Sequence, residues 1–502
     1  MSTPLLHRRD FIGGSIAVAA LSVAASADVH QPDICIYGGT ASGVMAAVTA
    51  AKQKRSVIII EPSRWLGGMT GGGLSHVDWG REKAVGGTAL SILSKNYDDA
   101  QYRQVFRELV KKYRIRVIYE HRVSAVQKDG ASIRSITLDH APPDAVGCPV
   151  ATPTKAGAMT VIARVFIDCS YEGDLMARAG VSYTWGRESR DEYGESLAGV
   201  RPNLAVYAID PYVTPGDAKS GLLPFVQDMK AQPEGSADRL TMGYGFRWKF
   251  SKEPERLPIP APEHYDPKQW ELYRRGFKNK AKIDEGRRMK GKLGFYELAG
   301  GRIHSIGQGN LARALLAPTN YGSNSEYPDG DYATRAGIFD DTQGWPHQLY
   351  VREARRMKSD YVVTQKDLEG STDPADSIGL ASYGVDDWPY ATLVHKGKVA
   401  LYGGEFSMLY LDDKHEGIYK IPYGAITPKQ SECTNLLVPV CVSASHIAMT
   451  SIRMEPVWMI LGESAGVAAA MAVSEDTPVQ QLPYEAVKKK LVALKQKLER
   501  PV

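Results

Sequence analysis

The fold is decided by the stretch Asp33-Ile34-Cys35-Ile36-Tyr37-Gly38-Gly39-Thr40-Ala41-Ser42-Gly43. It leads from an apolar strand through a glycine turn into a helix of small residues at positions 44–51. A second apolar strand, at positions 56–60, follows the helix and ends at Glu61. This order of strand, glycine turn, helix, strand and acid is typical of a nucleotide-binding βαβ unit in an α/β fold.

The glycine turn and the acid suit different parts of a dinucleotide. Gly38, Gly39 and Gly43 let the chain approach a pyrophosphate, which the helix N-terminus attracts through free N–H groups and partial positive charge. Glu61 lies 18 residues after Gly43, where a carboxylate can accept both hydroxyls of an adenosine ribose. Such a carboxylate favours FAD or NAD over NADP, whose extra phosphate it would repel. Because Thr40 stands at the middle glycine position, an ordinary glycine-rich turn is the alternative.

The first 27 residues have the pattern of an export signal. His7-Arg8-Arg9-Asp10-Phe11 is a twin-arginine pattern, residues 12–23 are a short apolar stretch, and Ala25-Ser26-Ala27 resembles a cleavage site. Twin-arginine signals serve proteins that fold, often with a cofactor, before they cross the membrane. A chance arginine pair in an ordinary secretory signal is the alternative. We therefore expect a periplasmic or secreted protein, exported folded by the twin-arginine route.

The composition argues against several classes of protein. The formal net charge is only +4 over 502 residues, so nucleic-acid binding has no support. No other long apolar run follows the signal, and we expect no integral membrane segment in the mature chain. Five cysteines do not make a disulfide framework at this length, and Cys35 and Cys169 are expected in the core. No CxxC pair or Cys/His cluster suggests a metal site.

Local patterns predict the further elements. Helical periodicity or small-residue composition predicts helices at residues 102–113, 451–473 and 484–500. Alternating or apolar runs predict strands at residues 116–126, 131–139 and 159–167, which form a β-meander over about residues 115–168. Asp129-Gly130 is the hairpin turn between the first two of these strands.

Composition along the chain predicts five parts. The middle is rich in Pro, Tyr and Trp, whereas both flanks have nucleotide-binding patterns. The predicted parts are the signal peptide at 1–27, a nucleotide-binding domain at 28–200, a substrate or cap domain at 201–425, the last part of the nucleotide-binding domain at 426–475, and a C-terminal surface helix at 476–502.

Five segments together resemble a known family, the FAD-dependent oxidoreductases often labelled "xanthan lyase", a branch of the glutathione-reductase-like flavoproteins. The segments are YGGTASG (37–43), LGGMTGGGL (66–74), FIDCSYEGDLM (166–176), GWPHQLYVRE (344–353) and residues 435–466. They cover most of the mature chain in the right order. The resemblance implies an FAD-binding Rossmann-like α/β domain of the glutathione-reductase type, built from both chain ends, with an inserted α+β substrate domain.

The resemblance also implies roles for individual residues. The implied FAD contacts are Gly38, Gly39, Thr40, Ser42 and Gly43 at the pyrophosphate, Glu61 at the ribose, Gly67, Gly68 and Met69 beside the flavin, Asp168, Ser170 and Asp174 in the second motif, and Ser451 and Arg453 near the isoalloxazine. Two departures from the family pattern concern Thr40 in place of a glycine and a shorter stretch between residues 327–332 and 344–347.

Flavin chemistry requires few protein groups, because the cofactor carries the electrons. Removing a hydride from a carbon that bears OH or NH also requires a base for the heteroatom proton. His446 is the first candidate, since its loop leads into the long helix predicted beside the flavin. His76, just after the triple glycine, is the second, and His347 is the third. A histidine with an ordinary hydrogen-bonding role is the alternative for each.

Two arginines near the third histidine have competing interpretations. Arg352 could anchor an anionic substrate group. It lies four residues before Arg356, which places both on one face of a predicted helix. A structural ion pair with Glu353 or a neighbouring acid is the alternative, and the sequence favours it.

The sequence thus predicts an FAD-dependent oxidase or dehydrogenase acting on a small polar substrate such as a sugar, glycoside or amine. We find no second strand–glycine–helix unit for a nicotinamide cofactor, so the expected electron acceptor is oxygen, a quinone or a carrier protein. One alternative is a lyase or hydrolase that uses tightly bound FAD or NAD in a transient redox cycle. Another is a non-catalytic binding protein that keeps the nucleotide fold.

Overall fold

A computed structural model describes most of the chain, namely residues 28–74, 76–144, 150, 152–201, 204–243, 248–251, 266–278, 295–298, 302–305 and 347–501. The predicted signal at residues 1–27 lies outside the described residues. So do residues 327–332 and 344–346, which the family resemblance includes.

The secondary structure alternates between strands and helices in the first third of the chain and again near its end. The strands are β1 (Asp28–His30), β2 (Ile34–Tyr37), β3 (Val57–Glu61), β4 (Arg116–Tyr119), β5 (His121–Asp129), β6 (Ser132–His140), β7 (Thr154–Ile162), β8 (Val165–Asp168), β9 (Tyr183–Thr184), β10 (Ala205–Tyr207), β11 (Trp248–Ser251), β12 (Phe295–Leu298), β13 (Arg302–Ser305), β14 (Arg356–Met357), β15 (Ser377–Ala381), β16 (Pro389–His395), β17 (Lys398–Gly403), β18 (Tyr419–Pro422) and β19 (Leu436–Leu437). The α-helices are α1 (Ala41–Lys52), α2 (Gly68–Gly72), α3 (Gly87–Leu93), α4 (Asp99–Lys112), α5 (Asp174–Arg178), α6 (Arg190–Tyr193), α7 (Glu271–Lys278), α8 (Gln365–Leu368), α9 (His446–Ile452), α10 (Glu455–Glu475) and α11 (Tyr484–Ala493).

A five-stranded parallel sheet forms the centre, in the order β19-β8-β2-β3-β4. Its middle strands are apolar up to their carboxyl ends, where β3 ends in Glu61 and β8 in Asp168, because both faces of the sheet are covered. Ile34 and Ile36 of β2 belong to the core on the helical side, whereas Cys35 and Tyr37 belong to the core on the opposite side. Since β19 comes from the C-terminal part of the chain and pairs with β8, both chain ends build this sheet, as predicted.

A four-stranded sheet, in the order β1-β7-β6-β5, covers the second face of the parallel sheet. Ile136 and Leu138 of β6 and Val161 of β7 share a core with Phe166 of β8. The first face is covered by α1 and α10, so the domain has a helix layer and two sheet layers. This is a Rossmann-type α/β fold, and the predicted fold class is confirmed.

Helices α1 and α10 pack closely because glycines lie between them. A Cβ atom on Gly462 would come within 2.3 Å of the Ser42 carbonyl oxygen, and one on Gly466 within 2.5 Å of the Ala46 carbonyl oxygen. Both contacts advance by four residues in the same direction, so the two helices run parallel. Any larger residue at these two positions would therefore force the helices apart.

The parallel alignment places the start of α10 well beyond the start of α1. Gly462 is the eighth residue of α10, but it meets Ser42, the second residue of α1. Six residues of α10 therefore extend past α1, which is about 9 Å at the rise of an α-helix. Helix α10 is also long and apolar enough to cross a membrane, but 94% of its most apolar window is buried inside the protein.

Four predicted element boundaries are wrong. The helix predicted at residues 484–500 ends at Ala493. The strand predicted at residues 116–126 is divided at Glu120, whose φ of +59° turns the chain from the parallel sheet into the four-stranded sheet. The strand predicted at 159–167 is likewise divided between β7 and β8, which belong to different sheets. The helix predicted at 451–473 consists of α9 and α10, with the break at Arg453 and Met454.

The middle of the chain forms small antiparallel sheets. They have the strand orders β10-β17-β16, β11-β13-β12, β14-β9 and β15-β18. The sheet with β15 packs on α10, where a Cβ atom on Gly379 would meet Ile460 at 2.3 Å. Near the C-terminus, α11 buries Val487 and Leu491 and exposes its remaining face.

Candidate functional site

The glycine turn after β2 is held tightly against the second motif. Gly38 has a φ of +96°, and a Cβ atom there would lie 2.6 Å from the backbone nitrogen of Ser170. A Cβ atom on Gly43 would lie 2.0 Å from the carbonyl oxygen of Gly38. Only glycine fits either position, so the chain can turn sharply at the N-terminus of α1.

Thr40 caps α1 and does not point its hydroxyl outward. Its Oγ1 atom accepts a hydrogen bond from the Gly43 N–H at 3.2 Å and donates one to the Cys169 carbonyl at 2.8 Å. The next residues, Ala41 and Ser42, therefore present the first-turn N–H groups that have no acceptor within the helix. The Ser42 hydroxyl lies between Gly462 and Cys169, so Ser42 can offer a phosphate its backbone only.

Glu61 ends β3 beside this turn, where it was predicted to bind a ribose. Its Oε2 atom accepts from the Gly39 N–H at 2.6 Å, and its Oε1 atom accepts from the Ser63 N–H at 2.7 Å. Burial raises the pKa of the Glu61 carboxyl, although these hydrogen bonds oppose the shift. The carboxylate thus braces the glycine turn, and its remaining lone pairs are available to hydroxyl groups.

The acids of the second motif have structural partners. Both oxygens of Asp168 accept backbone N–H bonds, from Ser170 at 3.0 Å and from Met176 at 2.8 Å. Burial raises the pKa of Asp168 to about 6. Asp174 pairs with the buried Arg355 at 3.0 Å. These contacts hold the turn that packs against Gly38.

The glycine loop after β3 is tied to the start of α10 by a chain of hydrogen bonds. Gly67 and Gly68 have positive φ angles and lead into α2. The Met69 N–H donates to the Tyr171 hydroxyl at 2.8 Å, and this hydroxyl donates to Glu455 at 2.7 Å. Burial raises the pKa of Glu455 to about 7. The loop, the second motif and α10 therefore meet at one point.

His446 lies at the start of α9 in a buried ionic cluster. Its Nδ1 atom is 2.8 Å from a carboxylate oxygen of Glu353, and its Nε2 atom is 2.7 Å from the Tyr390 hydroxyl. Its backbone N–H donates to Glu188 at 2.8 Å. The fully buried Arg356 bonds both Glu188 and Glu353. We call these five residues the His446 cluster.

The surroundings of the His446 cluster favour the ionised form of its two acids. Burial raises the pKa of the Glu353 carboxyl, but the neighbouring His446 and Arg356 outweigh this effect and hold it below its ordinary value. The pKa of Glu188 is lowered for the same reason, with Arg356 the stronger neighbour. The cluster therefore holds charge in the protein interior, where charges are stable only when paired.

Arg453 and Ser451 lie at the junction between α9 and α10. Arg453 is buried and donates to the Asp386 backbone carbonyl at 2.7 Å and to its carboxylate at 3.2 Å. The Ser451 hydroxyl lies 2.7 Å from the Tyr419 hydroxyl and donates to the Tyr383 carbonyl. The Ser451 side chain therefore has protein partners, and Arg453 is the better placed of the two to meet a ligand.

The other two candidate histidines are separate from the His446 cluster. His76 is exposed. His347 is buried beside α2, with its ring stacked on Trp65 at 4.0 Å and its Nδ1 atom 3.0 Å from Arg103. His347 thus touches the glycine loop, since a Cβ atom on Gly72 would lie 2.9 Å from it.

The prediction that Arg352 and Arg356 lie on one helix is wrong. Residues 351–355 have no regular structure, and Arg356 begins β14. Arg352 is stacked over the ring of Trp388 at 3.9 Å. The predicted ion pair is present, since Arg356 contacts Glu353 at 3.4 Å.

Sequence reasoning missed several functional candidates. Tyr390, Glu188 and Tyr171 contribute to these sites from positions distant in the chain. Tyr171 lies inside a recognised motif, which was a usable signal. Nothing local in the sequence marks Glu188 or Tyr390, because their importance depends on their partners.

The residues present fit FAD. The turn at Gly38, the N-terminus of α1 and the carboxylate of Glu61 suit a pyrophosphate and a ribose. Beyond them, the first six residues of α10 extend past the start of α1. Two buried donors near this start, Trp458 Nε1 and Arg453 Nε, have no hydrogen-bond partner among the described residues. A flavin ring has the acceptors that such donors need.

Solved structures of low similarity include THI4 of Thermovibrio ammonificans, with 16% identity over 32% of this chain and 66% of that chain, at a TM-score of 0.24. Thioredoxin reductase of T. acidophilum has 19% identity over 28% of this chain and 35% of that chain, at a TM-score of 0.19. L-proline dehydrogenase of P. horikoshii has 17% identity over 33% of this chain and 26% of that chain, at a TM-score of 0.20. The chain therefore spans about a quarter to two thirds of these proteins.

No curated protein matches the chain. The family model described as FAD dependent oxidoreductase matches residues 33–491 of the 502-residue chain. This range includes the glycine turn, the His446 cluster and both helices of the layer that covers the parallel sheet. The chain belongs to the FAD-dependent oxidoreductase family.

Proposed function

We propose that this protein is an exported FAD-dependent oxidase or dehydrogenase that removes a hydride from a small polar substrate such as a sugar, glycoside or amine. Family membership supplies the cofactor and the reaction class. The substrate class and the location outside the cytoplasm are the new parts of the proposal. The twin-arginine pattern at residues 7–11 supports the location.

The observation that carries the proposal is the environment of His446. Its Nδ1 atom lies 2.8 Å from the Glu353 carboxylate, which can only accept a hydrogen bond. The proton of the neutral ring is therefore on Nδ1, and the lone pair is on Nε2. A histidine oriented in this way by a carboxylate is suited to take a proton from an alcohol or amine.

Different residues of the chain would have different roles in such a reaction. When bound, FAD accepts the two electrons and the hydrogen that leave the substrate carbon. The Gly38 turn, Glu61 and the N-terminus of α1 would hold its adenosine and pyrophosphate parts. His446 would hold the proton that leaves the substrate heteroatom, while Glu353 and Arg356 would keep its ring in place. Oxygen, a quinone or a carrier protein would then take the electrons.

Anaerobic reduction of the purified holoprotein tests this function. Sugars, glycosides and amines are added in turn, and loss of the yellow flavin colour is followed. We expect at least one of these classes to bleach the flavin. Absence of bleaching across all three classes would reject the proposed substrates, and substrate cleavage without any electron acceptor would indicate the lyase alternative.

Replacement of His446 by alanine tests the base. The flavin reduction rate should fall by roughly tenfold or more while FAD stays bound. His121→Ala is the matched control, because His121 is also buried but bonds the carbonyls of Tyr119 in β4 and Gly157 in β7. Equal rates in the two variants would remove His446 from the mechanism.

Replacement of Glu61 by lysine tests the cofactor site separately from the chemistry. A cation at this position removes the acceptor for the ribose and for the Gly39 N–H. We expect the purified variant to be colourless. A variant that keeps its FAD would refute the assignment of the ribose site.

A further inference from the structure

Both ring nitrogens of His446 are occupied in the structure. Glu353 holds Nδ1, so the free lone pair is on Nε2, and the Tyr390 hydroxyl lies 2.7 Å from that atom. When the ring is neutral, Tyr390 is therefore the donor of this hydrogen bond, and its hydroxyl also lies 3.5 Å from an Asp387 carboxylate oxygen. A proton can reach Nε2 only by way of the phenol oxygen unless this bond first breaks.

Tyr390 is held in place from several sides. The Arg187 guanidinium lies over its ring at 4.2 Å, and Gly403 on the neighbouring strand leaves room for the ring. Burial raises the pKa of the phenol well above its ordinary value, and Asp387 adds to this, whereas Arg187 opposes it. The phenol thus keeps its proton at rest, and a guanidinium lies over the face of its ring.

We infer that Tyr390 is the catalytic residue that takes the substrate's heteroatom proton, and that it passes its own phenolic proton to Nε2 of His446. Glu353 is then a positioning residue, because it acts through His446. This inference rests on the proposed function. It replaces the single base His446 by a relay of Tyr390, His446 and Glu353.

The proposed step balances in atoms and electrons. The substrate O–H or N–H bond breaks, and its proton forms a new bond to the Tyr390 oxygen. The former phenolic proton moves to His446 Nε2, and the resulting imidazolium stays beside the Glu353 carboxylate. Bound FAD, the oxidant that family membership supplies, would take the hydride of the substrate carbon, so the substrate would lose two electrons and two hydrogens in total.

Five carboxyl groups and two guanidinium groups of neighbouring elements face the relay. The described groups that face Tyr390 or His446 are Arg187, Glu188, Glu195, Asp238, Glu353, Arg356 and Asp387. Glu188 is paired with Arg356, and Asp238 is paired with Arg187. The carboxyl groups outnumber the guanidinium groups, so a proton that moves onto His446 lies in an acidic environment.

Tyr390→Phe tests the relay directly, because it removes one oxygen and leaves the ring. With a substrate that bleaches the wild type, flavin reduction should slow by roughly 100-fold. Tyr402→Phe is the matched control, since Tyr402 also lies under Arg187, at 4.7 Å, but its hydroxyl bonds the Gln232 N–H. If Tyr390→Phe is as fast as Tyr402→Phe, His446 takes the proton itself and the relay is wrong.

Mixtures of H2O and D2O separate a chemical role from a structural one. Two protons moving together give a curved dependence of the flavin reduction rate on the deuterium fraction, and one proton gives a straight line. We expect a curve for the wild type and for Tyr402→Phe, and a straight line for Tyr390→Phe. A straight line for the wild type would overturn the relay.

A third measurement needs neither substrate nor turnover. Histidine labelled with 15N reports which ring nitrogen carries the proton, and His446→Gln identifies the resonances of His446. We expect the proton on Nδ1 and a hydrogen-bonded lone pair on Nε2, with Tyr390→Phe shifting mainly the Nε2 resonance. A proton on Nε2 in the wild type would contradict the relay even if the screen finds a substrate. A screen without any substrate would instead reject the proposed function.

Discussion

The contact between α1 and α10 and the His446 cluster are equally buried but stabilised in opposite ways. The helices meet through glycine, alanine and backbone, with no ion pair in their contact among the described residues. The His446 cluster instead places Glu188, Glu353 and Arg356 in the interior and satisfies them with one another. The first arrangement fixes the distance between helices, and the second fixes the orientation of one imidazole.

This difference shows what each region can tolerate. Close apolar packing fails when volume is added, because the backbone has nowhere to move. A buried ion network fails when one partner is removed, because the remaining charge stays buried without compensation. The predictions below test whether the two regions fail in these two ways.

Removal of Arg356, the cation of the His446 cluster, should have the largest effect on stability. Arg356→Met leaves Glu188 without its cation and Glu353 with His446 alone, and we expect a loss of about 3–5 kcal/mol in the free energy of unfolding. Denaturant unfolding measures this loss. The triple variant with Glu188→Gln and Glu353→Gln should recover most of it, since no unpaired charge remains. If the triple variant is no more stable than Arg356→Met, charge pairing is not what stabilises the cluster.

Added volume between α1 and α10 should have the second largest effect on stability. Gly466→Val places a side chain against the Ala46 carbonyl, and we expect a loss of about 1–3 kcal/mol together with weaker retention of FAD. Thermal unfolding and the bound flavin absorbance measure the two effects. Glu475→Val adds the same side chain at the exposed end of α10 and should change little. Similar losses in both variants would mean that helix spacing does not matter.

Glu455 makes stability depend on pH. Burial holds its pKa at about 7, so the folded protein keeps a proton that the unfolded chain releases above about 4.5. Stability should therefore fall as the pH rises from about 4.5 to about 7. Asp168, with its pKa raised to about 6, adds to the same trend.

Glu455→Gln should reduce this fall by on the order of 2 kcal/mol, because the amide carries no titrating proton. Denaturant unfolding at pH 5 and pH 8 measures the change. Glu485→Gln, on the exposed face of α11, is the control and should keep the wild-type dependence. A wild-type protein that gains stability over this range would show that Glu455 is ionised throughout.

The cap of α1 should have the smallest effect. Thr40→Ala removes the acceptor for the Gly43 N–H, and we expect a loss of about 1 kcal/mol in unfolding free energy. Thr40→Ser keeps the hydroxyl and should stay within a few tenths of the wild type. FAD affinity measured by titration should change little in Thr40→Ser, because that hydroxyl bonds the protein. A large loss of affinity in Thr40→Ser would show that the methyl group matters to the site.

Much of the nucleotide-binding region could be predicted because its signals are local. The order from Ile34 to Glu61 encodes strand, turn, helix and strand within thirty residues. The errors arose where one residue redirects the chain, as at Glu120, whose positive φ divides a continuous apolar pattern between two sheets. Periodicity cannot detect such a change of sheet.

The candidate site was predicted unevenly for a related reason. His446 was identified from its place before the long helix, but its partners were not. Glu188, Glu353 and Tyr390 are distant from it in the chain, and only the fold brings them together. For Thr40, the sequence suggested a phosphate contact, whereas the structure gives its hydroxyl a capping role, because a helix start must satisfy its own N–H groups first.

The pairing of β19 with β8 has a consequence for biosynthesis. Leu436 joins the sheet beside Phe166, which is made 270 positions earlier. At 5–20 residues per second, a ribosome needs roughly 15–55 s to cover that distance. Throughout this interval the nascent α1 lacks its neighbour α10, so the growing chain has only part of its coenzyme-binding site. Insertion of the flavin must therefore wait until translation is nearly complete.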